Sequence, residues 1–351
     1  MADASFPHEP EALSASWLSE VLGGSVDDFE HEQIGVGVGL LGRLYRVTLR
    51  GDGVPSSVVA KFPTLDEGAR MHVVAPMNFY EKEVRFYQTT ANETPLGTPE
   101  VYFAGFDSDS GDFLILLEDL ASLRMADQTV GCQLDDAKKI VEAIADHHAR
   151  WWGADTMSGL DWLPIFADPP TPMVVGGMFK NAWPKFLEGF ADQLTDDVRA
   201  FGERFPDAIG WFLDTGREEP QTFIHGDLRL DNVFFGDGVT VIDWQIAGRG
   251  PGGYDIAYFL SQSLTPDARR TCERDLIERY RQRLKSKGAD YPEDKLLLDY
   301  RRTVAHCFCY PVIATGTIEL ANDRARALVG GMLAGAMAAI EDHEALSTWP
   351  D

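Results

Sequence analysis

The stretch FIHGDLRLDNVFF, residues 223–235, sets Asp227 and Asn232 five positions apart between two apolar runs, and Asp243 follows eleven positions later in VTVIDWQ. These are a carboxylate that can accept a proton, an amide carbonyl and a second carboxylate. Magnesium takes oxygen ligands, keeps several waters and needs few protein groups when phosphates supply the rest. Asn232 and Asp243 fit that ligand role, which leaves Asp227 to accept a hydroxyl proton and orient the attacking oxygen. Singly, each residue has a simpler reading, because Asp and Asn favour turns and could merely link two strands. Their company upstream argues for more.

GVGLLG places Gly37, Gly39 and Gly42 in the GxGxxG spacing, which dinucleotide folds and phosphate-covering loops share. A dinucleotide fold needs those glycines to open a helix, with an acidic residue about 20 positions on. Here they open a strand, Tyr45, Val47 and Leu49 alternating with Arg46, Thr48 and Arg50, and the counterpart is Lys61 in VVAKF. An NAD-binding oxidoreductase would instead require a helix directly after Gly42. A lysine inside an apolar strand is costly unless its tip reaches water or a partner. Glu81 and Glu83 on the next helix offer that partner; the apolar neighbours in EVRFY point to Glu83, with Glu81 the alternative. Backbone N–H groups of the glycine loop would lie over nucleotide phosphates where any Cβ would hold them away. A Lys–Glu pair would hold the α and β phosphates of ATP.

Rigid elements must carry these groups. A short helix is expected to open near Glu9 and close at Gly23, followed by the strand around residues 45–50 and another at 56–63 after a GDG turn. Residues 78–90 read as an amphipathic helix, and PEVYFAGFD and DFLILLEDL as two more strands. From Leu134 the pattern turns helical, with Asp135 as N-cap and Ile140, Val141 and Ile144 at core spacing. Residues 223–243 are the β interruption, where Phe223, Ile224, Val233, Phe234, Val241 and Ile242 would lock the polar loop, and helices resume at Thr265 with Pro266 in the first turn. The change of character falls near residues 118–124, giving an N-terminal lobe over 1–120 and a C-terminal lobe over 121–351. His225 reads as a buried hydrogen-bonding brace and Asp255, in GPGGYDIAYFL, as a cap or a brace for the loop amides. Arg229 could touch a γ-phosphate or tie down its own loop.

A net charge of −25 repels phosphate backbones and anionic lipid surfaces, which argues against nucleic-acid and membrane partners. Cys132, Cys272, Cys307 and Cys309 show no CxxC pair and no histidine at metal-ligand spacing, so neither a zinc site nor a disulfide scaffold is expected and a reducing cytoplasm is the simplest home. The N-terminus lacks the basic start and apolar run of a signal peptide. ALVGGMLAGAMAAI, residues 327–340, is too short to span a bilayer and reads as a buried helix. Residues 153–220 hold Trp162, Phe166, Phe179, Trp183, Phe186, Phe190, Trp211 and Phe212, which could wall an apolar pocket, although core packing accounts for most of them. Residues 186–220 hold nine acidic and three basic side chains, a face that could attract a cationic ligand or simply be solvated.

The segments GVGVGLLGRLYRVTL, VVAKF, EVRFY, LILLEDL, HHARWW, FIHGDLRLDNVFF, VIDWQ and GGYDIAYFL together resemble the aminoglycoside phosphotransferase and choline kinase superfamily, with details most similar to its ecdysteroid-kinase-like branch. The resemblance implies an α+β, bilobal, protein-kinase-like fold with a β-rich N-terminal lobe, a mostly α-helical C-terminal lobe and ATP between them. It implies adenine contacts from backbone groups around Leu117, Glu118 and Leu120, Asp227 as catalytic base, and Asn232 and Asp243 as Mg2+ ligands. The γ-phosphate would pass to a hydroxyl of a small molecule, either an apolar or steroid-like alcohol or an aminoglycoside-type antibiotic, on a monomer or homodimer. Gly226 stands where the protein-kinase loop has arginine, and DFG and APE are absent, which disfavours protein substrates. A catalytically silent nucleotide-binding module is the alternative, although it would not need Lys61, Asp227, Asn232 and Asp243 all intact.

Overall fold

The computed structural model describes residues 6–35, 41–317 and 323–350. By contacts the chain forms two units, Met1–Arg124 with Ile242–Gln245, and Met125–Val241 with Ile246–Asp351. The first therefore runs slightly past residue 120 and recruits a four-residue piece from far along the chain. The fold is α+β, with a sheet-based N-terminal part and a helical C-terminal part.

In the first unit, α1 (Ala15–Leu22) starts later than the sequence suggests. A separate 3₁₀ turn takes Pro10–Ala12, Ser14 accepts from the Trp17 amide as N-cap, and Gly23 closes the helix in the left-handed region at φ 70°. Five strands follow in the antiparallel order β1-β2-β3-β5-β4: β1 (Ser25–Ile34), β2 (Gly42–Asp52), β3 (Ser57–Pro63), β4 (Val101–Phe106) and β5 (Phe113–Glu118). Strand β2 starting at Gly42 removes the dinucleotide reading, which needs a helix there. Strand β1 carries no apolar alternation and so left no signal in the sequence. It is an edge strand, and its Asp28, Glu30 and Glu32 meet Arg50 and Arg46 of β2 at 3.3–3.8 Å, charges that discourage pairing with another chain.

On β3 the alternation sorts chemistry from packing. Val58, Ala60 and Phe62 enter a core with Leu18, Val47, Leu49, Leu114 and Leu116, so Lys61 points to the opposite face. Helix α2 (Phe79–Thr89) is buried almost all round, through Phe79, Tyr80, Glu83, Val84, Phe86 and Tyr87. Lys82 is buried there too, its Nζ 4.8 Å from the Phe79 ring centre, and burial lowers its pKa to about 7. Because the unfolded chain then binds more protons than the folded one between pH 7 and the ordinary lysine range, this group makes stability rise with pH across that window. Lys82→Met is expected to flatten the rise of the melting temperature between pH 7 and pH 9. An unchanged slope in paired thermal melts would refute this.

The second unit is built on helices Leu134–Arg150, Thr171–Phe190, Asp196–Thr215, Gly253–Ser263, Pro266–Ser286, Glu293–His306, Cys309–Thr317 and Asp323–Asp342. Gln133, not Asp135, takes the N-cap position of the first, without a side-chain capping hydrogen bond, and Asp135 is its second helical residue. Thr265 caps the fifth by accepting from Ala268. Every residue of Gly253–Ser263 is buried, which makes this helix the unit's internal post. The expected β interruption consists of Thr222–Ile224 and a hairpin pairing Val233–Phe235 with Val239–Val241. The Gly248–Gly250 strand was not foreseen: it pairs with Thr222–Ile224, and two glycines in three residues leave no strand signature. Of the six expected anchors, Phe223, Ile224, Val233 and Val241 are buried, while Phe234 and Ile242 are only partly so. Among the aromatics of 153–220, Phe179 stacks on Trp183 and Phe205, and Phe186 on Trp183 and Phe190, while Phe166 packs on Tyr254 and Phe212 on Trp349. Residues 327–340 lie within the last long helix, and among the described residues no helix is long and apolar enough to cross a membrane.

Candidate active site

The first unit holds Lys61, Glu83 and Asp243 of the predicted set. Lys61 Nζ lies 2.8 and 2.7 Å from the two Glu83 carboxylate oxygens and 3.0 Å from Asp243 Oδ1. Glu81 is not the partner; it meets Arg85 one turn on, at 3.5 Å. Burial pulls the Lys61 pKa down, but Asp243 and Glu83 outweigh it and hold the ammonium above its usual range. Burial pushes the Glu83 carboxyl up against the pull of Lys61. Gly42 abuts this group: a Cβ there would come within 3.2 Å of Lys61 Cε and 3.3 Å of the Phe62 carbonyl. Gly37 and Gly39 lie outside the described residues.

Asp243 reaches Lys61 because Ile242–Gln245 belongs to this unit. Trp244 is buried and stacks on Phe86 of α2, ring centres 3.9 Å apart at 12°. Asp243 itself sits in the left-handed region at φ 69°, a conformation that non-glycine residues seldom adopt and that tends to mark functional backbone. Leu117 is buried on β5 between Val59 and Val101, and Leu120 is buried in the turn after it. Glu118 is exposed, and its N–H donates to the Glu100 carbonyl at 2.8 Å, so that donor is committed to the sheet. Beside them Asp119 binds Arg46 and Ser57, at 2.7 and 2.8 Å.

The second unit holds Asp227, Arg229 and Asn232 of the predicted set. Asp227 Oδ2 accepts from the Asn232 side-chain amide at 3.0 Å, and the same amide also donates to the Asp227 carbonyl at 2.9 Å. Arg229 Nε approaches Asp227 Oδ2 at 3.5 Å and its Nη1 reaches Asp231 at 3.5 Å, so the arginine ties its own loop. Gly226 has φ +83°, and a Cβ would meet the Ile246 carbonyl at 3.0 Å; the absence of a side chain at this point is a backbone requirement. His225 is fully buried and its Nδ1 accepts from the Asp227 N–H at 3.2 Å, the brace expected of it. Asp255 accepts from the His225 and Gly226 amides at 2.7 and 2.9 Å and meets His148 Nε2 at 3.1 Å.

Two contributors escaped the sequence reading. Tyr258 donates to Asp227 Oδ1 at 2.7 Å. Gln128 accepts from the Leu230 amide at 2.9 Å and donates to the Gln262 carbonyl at 2.6 Å, linking the loop to the buried Gly253–Ser263 helix. Tyr258 had a legible signal, since it falls three residues after Asp255 in a helix and therefore on the same face. Gln128 had none, because its partners are a hundred or more residues away.

A β-sheet unit with a buried Lys–Glu pair and a helical unit with a braced HGDxxxxN loop define the architecture of the kinase-like enzymes. The model of the phosphotransferase enzyme family matches residues 36–297, and the chain belongs to that family. No functionally curated protein matches it. Among solved structures, the fold is similar to wild-type aminoglycoside 2'-phosphotransferase-IIIa in its GDP complex (TM-score 0.52, 13% identity, 93% of this chain and 97% of that one). It is also similar to an ethanolamine kinase of Plasmodium vivax (0.53, 12%, 88% and 82%) and to a choline/ethanolamine kinase family protein of Mesorhizobium loti (0.50, 14%, 91% and 92%). At these identities the likeness concerns the fold. The ecdysteroid-kinase-like branch is not resolved by these matches.

Proposed function

We propose that this phosphotransferase is an ATP-dependent kinase that moves the γ-phosphate to a hydroxyl of a small molecule. The observation that carries the reading is Lys61, a buried ammonium gripped by both oxygens of Glu83 with Asp243 at 3.0 Å. A buried lysine so placed costs desolvation that packing alone does not require, and it suits a cation aimed at phosphate. In this reading Gly37, Gly39 and Gly42 cover the phosphates, and backbone groups around Leu117, Glu118 and Leu120, other than the Glu118 N–H held by Glu100, receive the adenine. Asp227 takes the acceptor's proton as its oxygen bonds the γ-phosphorus and the bond to the bridging oxygen breaks. Arg229 keeps the loop closed and lies near enough to the carboxylate to face the transferred group.

The donor set fits magnesium. Asn232 and Asp243 offer oxygen ligands, and among the described residues no group of three or more His, Cys, Asp or Glu forms a protein cage. A cation held mostly by phosphates and water needs no more, and when bound Mg2+ would offset the phosphate charge. The acceptor is an apolar or steroid-like alcohol or an aminoglycoside-type antibiotic, and the protein is a cytoplasmic monomer or homodimer. None of the four cysteines is in a disulfide, which suits a reducing compartment. The test is phosphate transfer from Mg2+ with ATP or GTP across a panel of sterols, small alcohols, choline-type amines and aminoglycosides. Transfer to one class identifies the acceptor; no nucleotide turnover with any of them rejects the kinase reading.

A further inference from the structure

We propose that Tyr258 is a positioning residue that fixes the orientation of the Asp227 carboxylate for proton transfer, an inference that rests on the reading of Asp227 as the base. A carboxylate on a short side chain turns easily about its last torsion, because the wells there are broad and two-fold. Asp227 is held at both oxygens, by Tyr258 on Oδ1 at 2.7 Å and by Asn232 on Oδ2 at 3.0 Å. Asn232 belongs to the same loop as Asp227, so it gives that carboxylate no reference outside the loop. Tyr258 does, since it stands on a separate element, the fully buried Gly253–Ser263 helix.

That helix presents two groups to the loop from one face. Asp255 receives the amides of His225 and Gly226, fixing the backbone, and Tyr258, three residues on, fixes the side chain. Tyr258 is itself held. The Tyr310 ring packs against it, with centres 4.3 Å apart. Burial, then the Asp227 charge, raises the Tyr258 pKa well above its ordinary value, so its hydroxyl stays protonated and donates. A merely structural tyrosine would need some partner for its hydroxyl; this one takes an oxygen of the carboxylate that must meet the acceptor.

Removing the hydroxyl should leave nucleotide binding intact and slow the chemical step, since misplacing a reacting group by about an ångström costs on the order of 10²-fold. The experiment compares the full-length wild type with Tyr258→Phe, which keeps the ring and its stacking, and Tyr310→Phe, which removes a neighbouring hydroxyl, using steady-state kinetics with the best acceptor of the panel. For Tyr258→Phe the expected result is a kcat lowered roughly 10- to 100-fold with KM for Mg-ATP within about twofold, and a far smaller effect from Tyr310→Phe. A kcat for Tyr258→Phe within about twofold of wild type overturns the proposal alone, as does an equal loss in Tyr310→Phe. A wild type that turns over no nucleotide overturns the phosphotransfer reading, and this proposal falls with it.

Discussion

Asp227→Ala should lower phosphate transfer by about 10²–10⁴-fold, the range a positioned general base contributes, while ATP affinity changes little. The groups proposed to face the nucleotide, Lys61 with Glu83 and the backbone around Leu117, Glu118 and Leu120, do not include Asp227, so its loss should remove an interaction made in the transition state rather than in binding. Asp227→Asn is the sharper variant. It keeps the size of the side chain but replaces one acceptor oxygen with a donor, which must then face either the Tyr258 hydroxyl or the Asn232 amide. Both are to be assayed by single-turnover transfer alongside calorimetric nucleotide binding. A loss of only a few fold would show that the proton leaves by another route. A parallel loss of binding and turnover would show that the loop, rather than the base, had been damaged.

Asp255→Ala should cost stability far more than its small size suggests. The side chain is fully buried and accepts from two buried amides, His225 N–H and Gly226 N–H, besides meeting His148. Each buried donor left unsatisfied costs about 1–3 kcal/mol, so the two together cost about 2–6 kcal/mol. For a unit of this size that corresponds to a melting temperature lower by roughly 5–20 °C. Asp255→Asn should fall between wild type and alanine, because its carboxamide can accept from one amide but presents a donor to the other. Thermal unfolding of the three proteins orders them; an alanine variant as stable as wild type would mean that water satisfies the loop amides. The expected loss of activity should track stability in Asp255 variants, whereas in Tyr258→Phe it should not.

Much of the site was legible because phosphoryl transfer asks for particular atoms in a particular order. Lys61 stood out as a charge in an apolar strand, and a helix rich in glutamate followed it. Which glutamate pairs was decided by helix phase: Glu83 falls on the face toward β3, while Glu81 turns outward to Arg85. His225 and Asp255 were readable as braces because polar groups among buried residues need partners. Tyr258 was not singled out, since a tyrosine in an apolar helix is first of all a core residue and its hydroxyl's partner lies 31 positions back. Strand β1 and the Gly248–Gly250 strand were missed for the opposite reason, having no apolar period to read. The start of α1 was placed too early because Pro10 and the acidic residues beside it look like a helix opening, whereas Ser14 makes the actual cap.

Local pattern, then, determined the order of the chemical groups, the change from β to α character and the kind of reaction they could serve, because spacing, alternation and charge are properties of neighbouring residues. Tertiary structure decided the pairings. Ile242–Gln245 joins the first unit because Trp244 finds Phe86 and Asp243 finds Lys61, a contact between residues 182 positions apart that no local pattern encodes. The left-handed backbone at Gly226 and Asp243 likewise arises only where distant segments constrain the chain. Side chains that meet across such separations are brought together by the burial of everything around them, so their partners become known only when the core has formed.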